Sequence, residues 1–296
     1  MTVTNYDGNG RQIDTTYQRP PERIIVLWQN SVETLLELGV GDRIIAAGGI
    51  DQPDHLKESN RKLYEKIPVV SRHTISQETA AMLRPDFILG WRFDFTGKAN
   101  SIGTWDFWNG RGVSIYMTNT DGADYRTTHT IEDELQYIRD IGAIVGRGER
   151  AEELVKEIES RVRKAEGRAD RIQPAQRVAV VFYMDQAVHI YTPRTLPGDI
   201  VRRLGGQIIG AEEEQIGQDE TISYEKLLLE DPDVLFIQSA PEFDESRLAA
   251  VYDNPKLQNL SCVQKKRVYT IPFYTIRDPA VRVGEAVDRI AEGMYP

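Results

Sequence analysis

Two stretches of the chain, ISQETAAMLRPDFIL at 75–89 and ISYEKLLLEDPDVLF at 222–236, share five residues in ungapped register. The pairs are Ile75/Ile222, Ser76/Ser223, Glu78/Glu225, Pro85/Pro232 and Asp86/Asp233. Their surroundings repeat too. Upstream of the first copy lie the apolar run RIIVLW (23–28), a helix-like SVETLLELG and RIIAAGG; upstream of the second lie RVAVVFYM (177–184) and DIVRRLGGQIIG. Downstream, RGVSIYMTN (111–119) and KRVYTIPFY, ending at Tyr274, each supply a further strand. A repeat of this kind constrains the fold more than any single motif does. At 296 residues, about twice the usual single-domain length, the chain has room for two related lobes, and the repeat favours them over one large α/β domain.

Each half alternates short β-branched runs with amphipathic stretches, the pattern of a parallel sheet covered by helices. The expected fold class is therefore α/β, with two parallel-sheet lobes of three-layer αβα type. Between them, IEDELQYIRDIGAIVG (131–146) puts Leu135, Ile138, Ile141 and Ile144/Val145 on one face. Next, 149–170 puts Ala151, Leu154, Val155, Ile158, Val162 and Ala165 on a stripe, with charges elsewhere. Twenty helical residues reach ~30 Å at ~1.5 Å per residue, long enough to join two lobes; a charged surface helix of one lobe fits the same pattern. The expected organisation is an N-terminal lobe over 1–146, an interdomain helix over 147–171 and a C-terminal lobe over 172–296.

Composition narrows the function classes. Forty per cent apolar and 28% charged residues describe an ordinary globular protein and exclude disorder, collagen-like repeats and a coiled-coil rod. A net charge of −10 repels a phosphate backbone, and no basic stripe offsets it, so no nucleic-acid partner is expected. The single cysteine, Cys262, excludes a disulfide framework, a thiolate zinc site and an iron–sulfur cluster held by this chain alone. No apolar run approaches the ~18 residues of a membrane span, and the first residues carry no apolar signal core.

In open parallel sheets, ligands bind beyond the carboxyl ends of the strands, where helix N-termini and loops converge. In the first half those positions hold Trp28 and Gln29, Trp91 and Arg92, and Tyr116, joined by Arg72 and His73 from the loop before the ISxE helix. In the second half they hold Tyr183, Tyr191 with Arg194, Gln238-Ser239, and Tyr274 with Arg277. With two lobes, such ends can face a common cleft. Aromatics and arginines suit a large, flat, negatively charged ligand, because rings offer contact area and guanidinium groups give bidentate bonds to oxygen-rich edges. Each residue also has a plainer role open to it. Trp28 and Tyr183 end apolar strands and fit a core or packing position, and His73 fits an ordinary loop. The four histidines form no HxH, HExxH or HxxxH set, which disfavours a bare metal site.

Glu78 and Glu225 each follow a serine at an expected helix start. There the hydroxyl caps the first turn and the acid favours the positive dipole end by ~0.3–1 kcal/mol. That role explains each glutamate singly. Their identity in both halves also fits two equivalent docking charges for a two-fold symmetric, basic partner.

From about Arg19 onward, the RPPERIIVLWQNSVETLLELGVGDRIIAAGG opening, the ISxE…PDFILGW motif, the helix near 149–170 and the KKRVYTIP strand together resemble the periplasmic-binding-protein family for ferric siderophores, haem and cobalamin. The resemblance implies the class III type of that fold, with lobes joined by one long helix and a shallow cleft with little hinge closure. It implies capture of a ligand for an ABC importer permease, with Glu78 and Glu225 pairing with arginines of two permease subunits and Trp28 and Trp91 touching ligand. It also implies an extracytoplasmic location, in the periplasm or as a cell-surface lipoprotein. The chain carries neither a signal nor a lipobox cysteine, so such a segment would lie outside this sequence.

A ferric siderophore is the first expected ligand, being anionic and oxygen-rich and so matched to Arg72, Arg92, Arg194 and Arg277. Haem is second, with Tyr183, Tyr191, Tyr274 or His73 as an axial ligand. Cobalamin is third, since its uncharged periphery has less use for arginines. No metal site of the protein's own and no catalytic cofactor are expected, and the chain is expected to be monomeric. Walker A, GxGxxG, GxSxG and zinc-hydrolase motifs are absent, so an enzyme with an interdomain active site is the remote alternative.

Overall fold

A computed structural model describes residues 1–98, 101–118, 128–169, 175–210 and 219–296. The chain divides into two compact units. The first comprises Met1–Arg126 with Glu134–Lys156, and the second Thr127–Asp133 with Glu157–Pro296.

The first unit opens with an antiparallel hairpin, β1 (Thr2–Tyr6) and β2 (Gln12–Thr16), which no expectation from the sequence covers. The hairpin region is held on the unit by Asn5 Nδ2 donating to the Ile115 carbonyl at 3.2 Å and by Tyr17 Oη donating to the same oxygen at 3.0 Å. Then come β3 (Ile24–Leu27), α1 (Gln29–Glu37), β4 (Ile44–Gly48), α2 (Glu58–Tyr64), α3 (Gln77–Leu83), β5 (Phe87–Trp91), α4 (Trp105–Asn109) and β6 (Ser114–Thr118). The four strands β3 to β6 are all parallel, in the order β4-β3-β5-β6. Every residue of β3 is buried, as a central strand covered on both faces requires. The next helices are α5 (Ile131–Ile144) and α6 (Gly148–Ala169). The faces expected from their periodicity are the buried ones: Leu135, Ile138, Ile141, Ile144 and Val145 on the first, and Ala151, Leu154, Val155, Ile158, Val162 and Ala165 on the second.

The division between units crosses α5 after Asp133 and α6 after Lys156. The start of α5 is anchored in the second unit. His129 N donates to the Arg194 carbonyl at 2.8 Å, and Ile131 N donates to Asp199 Oδ2 at 3.0 Å, which satisfies one of the open amides of a helix start.

The second unit contains β7 (Arg177–Met184), β8 (Val188–Tyr191), α7 (Leu196–Arg203), β9 (Gln207–Ile208), β10 (Asp219–Ile222), α8 (Tyr224–Glu230), β11 (Val234–Ser239), α9 (Asp244–Tyr252), α10 (Ser261–Gln264), β12 (Val268–Pro272), α11 (Phe273–Ile276) and α12 (Val283–Met294). Its core strands β9, β7, β11 and β12 are parallel. Its edge is not: β8 turns back antiparallel to β7, and β10 pairs antiparallel with β8. The parallel-sheet core expected of this lobe is present, and β8 and β10 add an antiparallel edge to it.

The repeated motif has a structural meaning in both units. Ser76 and Ser223 accept from the backbone amides of Thr79 and Lys226, capping α3 and α8. Both helices end on a non-glycine residue in the left-handed region, Arg84 (φ 50°) and Asp231 (φ 38°), immediately before the proline. The aspartate that follows then clamps the neighbouring strand. Asp86 accepts from Glu22 N and Arg23 N at 3.0 and 2.9 Å, and Asp233 accepts from Arg177 N at 2.9 Å.

Candidate ligand-binding site

At the carboxyl ends of β3 and β5, Trp28, Trp91 and Phe93 form one aromatic cluster. The two indoles stack at 5.3 Å between centroids with 29° between planes, and Phe93 meets both edge-on, at 5.4 and 5.5 Å. Trp28 caps α1 with φ 72° and ψ 152°, a backbone state that costs a side-chain-bearing residue roughly 1–3 kcal/mol. Three contacts hold it there. Its Nε1 donates to Asp94 Oδ2 at 2.7 Å, its backbone N donates to the Gly48 carbonyl at 2.8 Å, and its ring lies on Gly49. A Cβ at Gly49 would stand 2.7 Å from the indole, and this glycine has φ +80°, so no other residue fits under the ring.

Asp94 is fully buried and also accepts from Trp91 N at 2.7 Å. One carboxylate therefore orients both tryptophans. The sequence signal for it is an acid three residues beyond the strand end, at the start of a helical turn, a position that only the indole contact makes specific.

Arg72 and His73 are exposed on a loop tied to the same place. Gly49 N donates to the His73 carbonyl at 3.1 Å, so the loop backbone lies against the glycine that supports Trp28. Arg72 makes no ion pair among the described residues. Arg92 is half-buried beside Trp91. The Gln29 amide is committed elsewhere, donating to Glu33 Oε2 at 3.1 Å and to the His55 carbonyl at 2.9 Å.

Tyr116 is corrected from a strand-end position to a core one. Strand β6 continues to Thr118, which puts Tyr116 at mid-strand, 4% exposed, with its Oη donating to Asp140 Oδ2 at 3.1 Å. Burial, with Asp140 alongside, pushes the Tyr116 phenol well above its ordinary value, and burial also raises the Asp140 carboxyl.

In the second unit, Tyr183 near the end of β7 is exposed and lies 5.8 Å from the His189 ring. Across β11, Tyr274 and Arg277 follow β12. The Arg277 guanidinium lies 5.9 Å from the Phe182 ring and that of Arg282 lies 4.3 Å from the Tyr274 ring, both within cation–π range. Arg282 is itself fixed by a two-pronged contact with Glu285 at 2.7 to 3.1 Å. Tyr191 is corrected in the same way as Tyr116. Because β8 runs antiparallel, its last residue points back along the sheet, 2% exposed, edge-on to Phe182 and hydrogen-bonded to Gln238. Arg194 is half-buried in the turn before α7.

Glu78 and Glu225 are both exposed in the first turns of their helices. Its own backbone amide, then the Ser223 hydroxyl and the Lys256 charge, lower the Glu225 carboxyl below its ordinary value and keep it ionised.

A family model described as periplasmic binding protein matches residues 24–275. The chain belongs to the periplasmic binding protein family. Its fold is the class III type, with parallel-sheet cores and the 22-residue helix α6 running through both units. A periplasmic binding protein from Veillonella parvula has a similar structure, with a TM-score of 0.88 and 27% identity over 100% of this chain and 92% of that one. An uncharacterized ABC transporter substrate-binding lipoprotein of Bacillus subtilis is 21% identical over 285 residues, 96% of this chain and 83% of its own length. A cobalamin-binding protein of Halobacterium salinarum is 22% identical over 302 residues, 99% of this chain and 74% of its own. Membership of this family makes the chain a binding protein and not an enzyme. No described helix is long and apolar enough to cross a membrane.

Proposed function

We propose that the protein is the extracytoplasmic substrate-binding component of an ABC importer and that it captures a ferric siderophore with the residues at the carboxyl ends of its two sheets. The observation that carries this reading is the Trp28–Trp91–Phe93 cluster with the unpaired Arg72 on the loop tied beneath it. A flat, apolar platform next to an exposed cation suits an anionic, oxygen-rich chelate. In the second unit, Tyr183, Tyr274 and Arg277 supply the same chemistry. The proposed contact set is Trp28, Trp91, Arg92, Arg72 and His73 from the first unit and Tyr183, Arg194, Tyr274 and Arg277 from the second. The buried Tyr116 and Tyr191 and Gln29, whose amide is committed to Glu33 and the His55 carbonyl, fall outside this set. Glu78 and Glu225 are proposed as the charges that dock on the permease.

Cobalamin is the second reading, favoured by the relative named for binding it and by the aromatic cluster, which needs no ligand charge. Haem is third, with the exposed Tyr183 or His73 as axial ligand. Titrating the protein with ferric hydroxamate, catecholate and carboxylate siderophores, haem and cobalamin, with tryptophan fluorescence as readout, tests the proposal. Saturable quenching by a ferric siderophore and none by cobalamin supports it; the reverse selects the second reading.

A further inference from the structure

Four residues after each repeated glutamate stands the most exposed large apolar side chain among the described residues of its unit: Met82, 76% exposed, and Leu229, 78% exposed. The other exposed large hydrophobics among the described residues lie between 40% and 54%. Positions i and i+4 share a helix face, so each unit presents a carboxylate and an apolar side chain one turn apart, Glu78 with Met82 and Glu225 with Leu229. The two helices correspond residue for residue around the pair. Ser76 and Ser223 cap them, Ala80 and Leu227 are fully buried on the opposite face, and Arg84 and Asp231 end them in the same left-handed turn. Neither glutamate is ion-paired among the described residues, and Lys226, next to Glu225, is held instead by Glu230 at 2.5 Å.

One exposed apolar side chain is ordinary. Two at the same place in a duplicated motif, each beside an exposed carboxylate, form a composite surface element made twice. We infer that Met82 and Leu229 are apolar docking knobs, each seating together with its neighbouring glutamate in one of two equivalent sockets of the permease, an apolar pocket rimmed by a basic group. The inference rests on the importer reading above and specifies the partner's chemistry. The carboxylate calls for a cation, the thioether or isobutyl group calls for an apolar recess, and their recurrence in both units calls for two like subunits. Charge then guides the encounter, while burial of the knobs slows release.

The test uses the full-length protein and the purified permease–ATPase complex that it stimulates in proteoliposomes, and reads the half-saturating protein concentration for ATP hydrolysis at low and high salt. Met82→Ser and Leu229→Ser are each expected to raise that concentration about tenfold, the loss expected for burying one such side chain, to the same extent at both salt levels. Met82→Leu and Leu229→Met should dock like the wild type, and all four variants should keep wild-type melting temperatures because both positions are exposed. Glu78→Ala with Glu225→Ala should instead flatten the salt dependence. Serine variants that stimulate like the wild type overturn the inference while leaving the importer reading standing. A wild-type chain that stimulates no importer complex overturns both.

Discussion

The indole of Trp28 donates to the Oδ2 oxygen of Asp94, 66 residues away, across 2.7 Å, and the same oxygen receives the backbone N–H of Trp91. One buried carboxylate thus sets the two rings of the aromatic cluster and helps hold Trp28 in its positive-φ conformation. Asp94→Ala is expected to leave both donors without their acceptor, costing about 1–3 kcal/mol of stability. It should also shift the tryptophan emission maximum and weaken ligand binding. Urea denaturation and a ligand titration of the same variant check this; wild-type emission with wild-type affinity would show that Asp94 positions neither ring.

Trp91 is half-buried, stacked on Trp28 and edge-on to Phe93, and is proposed as a ligand contact. Trp91→Ala is expected to lower affinity by about ten- to a hundredfold, in line with the ~1.5–3 kcal/mol of a large buried side chain. Isothermal titration with whichever ligand saturates the wild type provides the measurement.

Arg72 separates the candidate ligands by charge. Arg72→Glu replaces an exposed cation with an anion, so it is expected to weaken binding of an anionic ferric siderophore by about tenfold at low salt and by less at high salt. Cobalamin affinity should not move. An equal loss for both ligands would mean that Arg72 acts through shape or folding.

Much of this architecture is legible in the residues. The ISxE…PD repeat marks both capped helices and both clamping aspartates, because capping and strand latching are local chemistry at fixed spacing. The apolar stripes of α5 and α6 likewise follow from helical period alone. What the pattern does not carry is pairing between distant segments. Residues 188–191 look like any short strand, and only their antiparallel register to β7 turns Tyr191 inward. Tyr116 illustrates the related difficulty of strand length: two further residues of β6 move it from the edge to the core. The β1–β2 hairpin is polar on its exposed face and is held by hydrogen bonds to the Ile115 carbonyl, which no local pattern announces. Asp94 belongs with these, since its meaning comes from a partner 66 positions back.

The duplicated aspartates can be tested as a pair. Asp86→Ala removes the acceptor of two backbone amides and Asp233→Ala that of one. Each is expected to cost about 1–2 kcal/mol while leaving ligand affinity unchanged, as measured by chemical denaturation alongside titration. A loss of affinity without a loss of stability would contradict the clamping role.

Cys262 is fully buried, and burial pushes its thiol up from 9.0 to about 12. The folded protein therefore keeps the thiol protonated where the unfolded chain ionises. Its contribution to stability is fully present below about pH 9 and is lost as pH rises toward about 12. A thiol reagent at pH 8 is expected to find no reactive group in the native protein and one after unfolding in urea. Rapid reaction of the native protein would contradict the burial.

The aromatic cluster on the first sheet, with Arg72 and Arg92 beside it, is proposed to hold an iron chelate for import. Tryptophan quenching across the ligand panel, run in parallel on the wild type and on Trp91→Ala, tests it most directly. Saturable quenching by a ferric siderophore is expected in the wild type, much weakened in the variant, with the ligand recovered unchanged. Tight siderophore binding that survives Trp91→Ala intact, or no response to any siderophore alongside saturation by cobalamin, would contradict it.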